Sequence, residues 1–485
     1  MTGVDRFASD RLNPILVREI QQALAGRGFA LLLIAAISGV LILTLFVALS
    51  PQAADLDERG GLGFAGAMVC LTPIAMFLVP AQAFQSMRAE VQGGLAEQLA
   101  MTRLRPRSIV VGRIWAAQIQ MLLFVSVFAP FLALSWLLRG IDVPTIAAGI
   151  VLVCLLNVVS SAFAIAGGAI CFNQVAQGLA QAVVTLTLVF ATMPMMAVMV
   201  ELPRELANAT SGTEFWEILG AMVLGAVLAV ALCVTVGSAA LGHAYENRST
   251  PFRAWLVAVI GIVTAYSWLT WPTSVMLRDL PEMIFAVVGF GTPIWLWAVC
   301  ETHTLSPRVR TRVPRNPFLA VLAAPWLPGG HRGSLFVLMV SAVGLGLAVG
   351  LPALSGVPVP SRIEDRVVLA FGYVLAYAAL ARLFRRRFGP SPKGSRRALV
   401  LTLTVLAIAT LLPMLFGLQG GGMSISPFAC LSPVWMLVFD GRSPPISDAA
   451  AWTFVAVAGV FLLLDGIRGL REVLAASAAR RQLAS

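Results

Sequence analysis

The sequence predicts an all-α fold, a polytopic membrane bundle whose helices cross a bilayer many times. Hydrophobic residues make up 59% of the 485 residues and charged residues only 12%, whereas a typical soluble domain has about 25% charged residues. The apolar residues also occur in runs of roughly 20, the length that a helix needs to cross the hydrocarbon core with its backbone hydrogen bonds satisfied. The two observations together favour a membrane-spanning helical bundle.

We predict about 12 transmembrane helices, with a margin of one or two. The predicted spans are 29–49, 62–85, 108–138, 144–172, 177–200, 215–243, 252–272, 281–299, 333–352, 363–384, 397–417 and 449–469. The run 424–439 is apolar but short, and Pro427 and Pro433 interrupt it, so we expect an interfacial or re-entrant segment there. The first span is longer than the core of a signal peptide and is expected to be retained.

The basic residues predict the orientation of these spans. Lys and Arg near span ends collect on the cytoplasmic side of a membrane. With the N- and C-termini cytoplasmic, most of the 34 Lys and Arg residues lie in inside segments, and most of the 23 Asp and Glu residues lie outside. Topology therefore explains the net charge of +11. We expect the lipid bilayer, and not nucleic acid, to be the partner of this charge.

The spans divide into two predicted units of six. The first covers residues 29–245 and the second 246–485, and the polar stretch HAYENRST lies at their junction. In each unit two spans are followed by a long segment on the cytoplasmic side, 86–107 in the first unit and 300–332 in the second. The second unit has a further basic cytoplasmic loop at 385–397.

Residues 1–28 are predicted to contain an amphipathic helix in the inner membrane interface. Its apolar face is formed by Leu16, Val17, Ile20 and Leu24, which follow helical spacing, while polar side chains occupy the other face. The alternative is an ordinary juxtamembrane helix without a special role.

No enzyme or metal site is apparent in the sequence. The three histidines His243, His303 and His331 lie apart, and none belongs to a nucleophile–base motif. The six cysteines form no C-x-x-C pair; Cys300 and His303 are three residues apart, but without a second pair we expect packing and not metal binding. We predict that the chain is not an enzyme, although membrane catalysis by carboxylates alone is an open alternative.

Energy sources for transport are also not apparent. The single lysine, Lys393, lies outside any G-x-x-x-x-G-K-[ST] motif, so the chain has no P-loop for ATP. The ionisable residues Arg113, Glu217, Glu301 and Asp465 are predicted near span ends, whereas ion-coupled transporters keep such groups near the membrane midplane. Ion-independent or secondary transport, and a structural or assembly role without transport, stay open as alternatives.

One polar segment between the second and third spans reads GGLAEQLAMTRLRPRSIVVGR, residues 93–113. Residues 87–101 contain no proline and are rich in Ala, Glu, Gln and Leu, which predicts a cytoplasmic helix. Pro106 is expected to end it, and Ser108 to begin the next span. A helix tethered at both ends to spans can pass a push from a cytoplasmic protein into the membrane; the alternative is a solvated loop helix.

This segment resembles membrane permeases of ATP-binding-cassette (ABC) transporters of the type-2 export class. Those proteins carry here an acidic residue, a Gly-Thr-Leu-like element, leucines, a Thr-Pro-Leu-Ser-Arg element and an Ile-Val-Gly-Lys start to the next helix. The corresponding residues are Glu90, Gly94, Leu95, Leu99, Thr102, Leu104, Arg105, Pro106 and Arg107, followed by Ile109-Val110-Val111-Gly112-Arg113. The stretch NPILVREIQQAL is similar to the elbow helix that opens many such permeases. The sequence departs from the pattern at Gly94, Arg103 and Arg113, where the family has Thr, Pro and Lys.

The resemblance covers residues 12–245 and implies a division of labour. It implies a separate cytoplasmic ATP-binding-cassette ATPase subunit that binds ATP and Mg and presses on a coupling helix at 86–107, so no cofactor is expected in this chain. It also implies a bacterial inner membrane location and export. Whether one chain, a homodimer or a second permease chain completes the pathway stays open. The segment that begins at Ser306 is expected to lie on the inner leaflet, with contact to a second ATPase subunit as the alternative.

Overall fold

The computed structural model of the chain describes a series of ranges separated by short gaps. They are residues 27–49, 56–93, 106–138, 141–170, 174–209, 213–242, 249–269, 291–301, 307–355, 361–389, 397–406 and 448–482, with the single positions 21, 280, 283, 284, 287, 305, 391, 394 and 395. Within these ranges every regular element is a helix, and no strand is present. The chain separates into two compact units, Met1–His243 and Ala244–Ser485.

Unit 1 contains seven described helices. They are α1 Arg27–Leu49, α2 Leu56–Pro73, α3 Val79–Gln92, α4 Pro106–Leu137, α5 Val143–Ala169, α6 Gln174–Ala209 and α7 Thr213–Leu241. Helices α2 and α3 are continuous through one π-helical turn, Ile74–Leu78. The π turn directly follows Pro73, whose missing N–H and bulky ring disturb the regular ladder of hydrogen bonds.

Helix α5 lies at the centre of unit 1, since it packs against α2, α3, α4, α6 and α7. Its contact surface is made of small residues, among them Ser160, Ala162 and Gly168, which are buried. Small side chains let membrane helices approach closely, and van der Waals packing then stabilises the contact. Large apolar residues of α2 and α4, including Phe64 and Phe124, fill the remaining core.

Unit 2 contains shorter helices as well as long ones. They are α8 Thr250–Leu269, α9 Thr292–Cys300, α10 Pro307–Arg310, α11 Pro317–Ala323, α12 Gly330–Leu345, α13 Leu351–Leu354, α14 Ser361–Arg387, α15 Arg397–Leu406 and α16 Asp448–Gln482. A π turn, Gly346–Gly350, joins α12 to α13. Helix α12 is central in this unit, because it packs against α9, α14 and α16.

Eight of the described helices are long and apolar enough to cross a membrane. They are Gly60–Gln92, Pro106–Leu137, Val143–Ala169, Gln181–Glu201, Leu219–Leu241, Thr250–Leu269, Gly330–Leu354 and Val367–Arg387. The chain is therefore a multi-pass, all-helical membrane protein, and each of the eight overlaps a predicted span. The remaining predicted spans overlap α1, α9, α15 and α16, and the full count of 12 stays a prediction.

The helix predicted for residues 87–101 is described as far as Gly93, and residues 94–101 lie outside the described ranges. Helix α3 ends at Gln92, and the N–H of Gly93 donates to the carbonyl of Ala89 at 2.9 Å as a C-cap. Glycine favours helix ends because the helix interior restricts its backbone most severely. The next helix begins at Pro106 and not at Ser108, since a proline in the first turn loses no helical hydrogen bond.

Candidate coupling site and buried ion clusters

The structure describes three of the residues predicted to couple to an ATPase. Glu90 lies in the last turn of α3, and Pro106 and Arg107 begin α4, with Arg107 exposed. The other predicted coupling residues lie outside the described ranges: Gly94, Leu95, Leu99, Thr102, Leu104 and Arg105. The predicted interfacial residues Leu16, Val17, Ile20 and Leu24 also lie outside them.

An ion pair joins the two helices that flank the polar segment. Nη2 of Arg113 on α4 lies 2.6 Å from Oε2 of Glu90 on α3. The side chain of Arg113 is only 2% exposed and that of Glu90 is 22% exposed, so water screens this pair much less than a surface pair. Residues 94–105 therefore connect α3 to α4 in sequence, and a partly buried ion pair joins the two helices.

Packing around Arg113 fixes this connection in the helix bundle. Nη1 of Arg113 donates to Sδ of Met87 at 2.9 Å, and Met87 is fully buried. Gly168 of α5 faces Met87: a Cβ at Gly168 would lie 3.0 Å from Cβ of Met87. Arg88 donates to Oε1 of Gln181 on α6. The carboxyl end of α3 is therefore attached to α4, α5 and α6.

Deeper in unit 1, neutral groups make the polar contacts. Nδ2 of Asn157 on α5 donates to Oε1 of Gln118 on α4 at 3.0 Å. Gln120 on α4 donates to Gln82 on α3 at 2.7 Å. The hydroxyl of Ser160 donates to the carbonyl of Ala75 at 3.1 Å, so α5 satisfies a backbone oxygen in the π turn. These contacts orient α3, α4 and α5 without placing a charge in the hydrocarbon region.

Unit 2 contains a charge cluster centred on Asp465 of α16, which is fully buried. Arg382 of α14 binds both carboxylate oxygens, with Nε at 2.7 Å from Oδ2 and Nη2 at 3.1 Å from Oδ1. Arg386 donates to Oδ1 at 3.0 Å, and Ser334 of α12 donates to Oδ2 at 2.9 Å. Nδ1 of His331 lies 3.1 Å from Oδ1. One carboxylate therefore joins α12, α14 and α16.

Two further ion pairs lie at the amino end of α12. Arg332 donates to Oε2 of Glu472 on α16 at 2.8 Å. Arg253 of α8 lies 3.3 Å from Oε2 of Glu301, which also accepts a hydrogen bond from the N–H of Gly329 at 2.8 Å. Gly329 has a φ of 133°, a conformation that other residues rarely adopt. This backbone geometry directs the Gly329 N–H at the carboxylate.

These clusters were not predicted from the sequence. Arg253, Arg332 and Arg382 are among the basic residues at the predicted cytoplasmic span ends, and the structure shows all three fully buried. A signal was present, because arginines and a lone acidic residue recur at the same predicted end of neighbouring spans. Buried charges need a partner, and the three acidic residues that supply one, Glu301, Asp465 and Glu472, lie at the same predicted end.

The Asp465 cluster has the geometry of a structural connection. Four side chains already contact the two carboxylate oxygens, and two of them are arginines, which keep their charge under all physiological conditions. A carboxylate surrounded in this way holds helices together better than it carries protons. Within the described ranges, no group of three or more His, Cys, Asp or Glu side chains is arranged to hold a metal ion.

No protein-family model, no curated protein and no solved structure matches the chain. The geometry of the two units and the motif in residues 90–113 are therefore the observations on which a function can be proposed.

Proposed function

We propose that this chain is the membrane permease subunit of an ABC exporter in a bacterial inner membrane. A separate cytoplasmic ATPase subunit binds ATP and Mg, docks on residues 94–105 and drives the membrane helices between inward-open and outward-open arrangements. The observation that carries the proposal is the buried Glu90–Arg113 pair, which joins the two helices on either side of this segment. The likeness of residues 90–113 to the permease motif adds support.

The pair gives the segment a mechanical role in this proposal. A force on a loop between two unconnected helix ends would mainly bend the loop. With α3 and α4 joined at Glu90 and Arg113, a displacement of residues 94–105 moves both helices together. Helix α3 continues through the π turn into α2, and π turns are places where a helix changes direction easily. The displacement therefore reaches the outer half of the unit through α2.

The test is purification of the full chain from its native membranes in mild detergent, followed by measurement of Mg-dependent ATP hydrolysis. We expect an ATPase subunit to co-purify in stoichiometric amount. Glu90→Gln and Arg113→Gln should each lower the ATP turnover of the complex about tenfold, since a coupling loss of roughly 1.4 kcal/mol is one factor of ten. Leu99→Ala and Arg105→Gln should lower co-purification itself, because they change the docking segment.

Glu201→Gln is the matched control. It makes the same chemical change at an exposed position. Glu201 ends the membrane-spanning part of α6, opposite to Gln181, which contacts Arg88, so the variant should leave ATP turnover unchanged. Membrane insertion of every variant is checked by its yield in the membrane fraction. Absence of any ATP-hydrolysing subunit, or unchanged turnover in both Glu90→Gln and Arg113→Gln, would refute the proposal.

A further inference from the structure

A short helix of unit 2 has an apolar surface that the described part of the protein leaves open. On one side of α11 and the following 3-10 turn, Ala320 and Ala324 are fully buried against Val473 of α16. The opposite side points away from that cluster. Its exposed side chains, here called the 318–322 surface, are Phe318 (69% exposed), Leu319 (51%), Val321 (40%) and Leu322 (56%).

The backbone that carries this surface is held in place. Asn316 caps α11, with its side-chain oxygen accepting from the N–H of Phe318 at 3.0 Å. The hydroxyl of Ser477 on α16 donates to the carbonyl of Arg315 at 3.0 Å, and Arg480 donates to the carbonyl of Val313. The apolar surface is therefore presented in a fixed orientation, and α11 cannot simply turn its large side chains inward.

Chain connectivity places α11 at the end of a membrane span. Only residues 327–329 separate Trp326 from Gly330, the first residue of a helix able to cross the membrane. Four extended peptide steps reach at most about 14 Å, and the head-group region on each side of the hydrocarbon core is roughly 5–8 Å thick. Leu335 of α12 packs against the same cluster as Ala320 and Ala324, so the 318–322 surface lies near the level of the lipid head groups and the outer part of the acyl chains.

The charges beside the surface indicate which lipids it meets. Arg310, Arg312 and Arg315 immediately precede α11, and all three are exposed. None of them forms an ion pair with a carboxylate of the described ranges. Basic residues at this depth attract the head groups of anionic lipids. The apolar side chains of the 318–322 surface can enter the acyl region at the same time.

We propose that the 318–322 surface, together with Arg310, Arg312 and Arg315, is a docking site for anionic phospholipid at this end of α12, which is the cytoplasmic leaflet in the predicted orientation. The apolar side chains insert between acyl chains and the three guanidinium groups bind phosphates. The site does not depend on the transport proposal, because its contacts are made by unit 2 and the bilayer alone.

The experiment places the photo-crosslinker p-benzoylphenylalanine at position 318 of the full chain. The protein is reconstituted in vesicles of equal parts phosphatidylcholine and phosphatidylglycerol, irradiated and analysed by intact mass. We expect lipid adducts in which phosphatidylglycerol outnumbers phosphatidylcholine about threefold or more. In the triple variant Arg310→Gln, Arg312→Gln, Arg315→Gln the adducts should remain, but the ratio of phosphatidylglycerol to phosphatidylcholine adducts should fall to about one.

A matched crosslinker at Gln482, an exposed polar position at the end of α16, should give few lipid adducts. Three results would overturn the proposal: a crosslink from position 318 to protein, whether a second copy of the chain or another polypeptide; no lipid adduct at position 318; or adducts that follow the bulk lipid composition in the unsubstituted chain. A crosslink to an ATPase subunit would assign the surface to partner docking and leave the proposed transport function standing.

Discussion

The two units hold their buried polar groups in different ways. In the described interior of unit 1, the contacts among α3, α4 and α5 are made by amides and hydroxyls, such as the pair of Asn157 and Gln118. In unit 2 the corresponding contacts are made by charged groups. Asp465 is contacted by Arg382 and Arg386 of α14 and by Ser334 of α12. Unit 1 has its buried carboxylate–arginine pair beside the polar segment, at Glu90 and Arg113.

The free energies differ accordingly. A neutral hydrogen bond between membrane helices contributes on average only about 0.6 kcal/mol, whereas removing one member of a buried ion pair costs about 3–5 kcal/mol. Contacts of the first kind can be exchanged between two arrangements of a bundle at little cost. We therefore expect helix movement to be concentrated in unit 1, and the helix ends that meet at Asp465 to move as one body.

The largest effect should follow from Asp465→Asn. The change leaves Arg382 buried with a neutral partner and should destabilise the full chain by about 3–5 kcal/mol. The measurement is thermal unfolding in detergent, followed by labelling of buried thiols such as that of Cys300. Arg386→Gln is the comparison, because Arg386 is 41% exposed and its pair should contribute about 1 kcal/mol or less. If the two variants lowered the stability equally, the buried pair of Asp465 with Arg382 would contribute no more than the exposed pair with Arg386.

A smaller contrast concerns glycines at helix contacts. In unit 2, a Cβ at Gly333 of α12 would collide with the backbone carbonyl of Ala298 on α9, and neither backbone can yield. Gly333→Ala should therefore cost about 2–3 kcal/mol, at the upper end for overpacking. In unit 1, a Cβ at Gly168 would meet Cβ of Met87 at 3.0 Å and the carbonyl of Phe84 at 3.1 Å, so Gly168→Ala should cost about 1 kcal/mol.

Gly225→Ala on α7 serves as the control for both glycine variants. No described residue lies within 4 Å of a Cβ at this position, and alanine is the better helix former, so the variant should be neutral or slightly more stable. The same thermal assay applies. A Gly168→Ala effect as large as that of Gly333→Ala would mean that unit 1 is packed as rigidly as unit 2.

The sequence could predict where helices cross the membrane but not how their charges are paired. Apolar length is a local property, so spans such as 108–138 and 144–172 overlap observed helices with only small shifts at their ends. Arg382 and Asp465 are 83 residues apart, and only the packing of α14 against α16 brings them together. A count of arginines at span ends does not distinguish a buried guanidinium from an exposed one. The buried Arg382 and the exposed Arg315 therefore contributed equally to the predicted topology.

The candidate coupling site was predictable in part for the same reason. Glu90 and the residues after it form a continuous motif, which a sequence displays directly. The pairing of Glu90 with Arg113 crosses from one helix to the next and required the structure, although opposite charges on both sides of a single loop are a signal that sequence reasoning could have used. The helix end at Gly93 was also available from the sequence, since glycine commonly ends helices.

The smallest expected effect is that of Asn157→Ala, and it tests the neutral side of the comparison. The variant removes the hydrogen bond to Oε1 of Gln118 and the longer ones with Ala117 and Ser161, and the freed amide of Gln118 can rotate toward other groups of the bundle. We expect a loss of about 0.6 kcal/mol, and at most roughly 1.7 kcal/mol, in the thermal assay. Asn157→Asp sharpens the result. Within the described ranges, the hydrogen-bond partners of the Asn157 side chain are Ala117, Gln118 and Ser161, so a carboxylate at this fully buried position would gain no charged partner and should be far more disruptive. If Asn157→Ala were instead as destabilising as Asp465→Asn, neutral contacts would hold unit 1 as tightly as charges hold unit 2, and helix movement could not be assigned to unit 1.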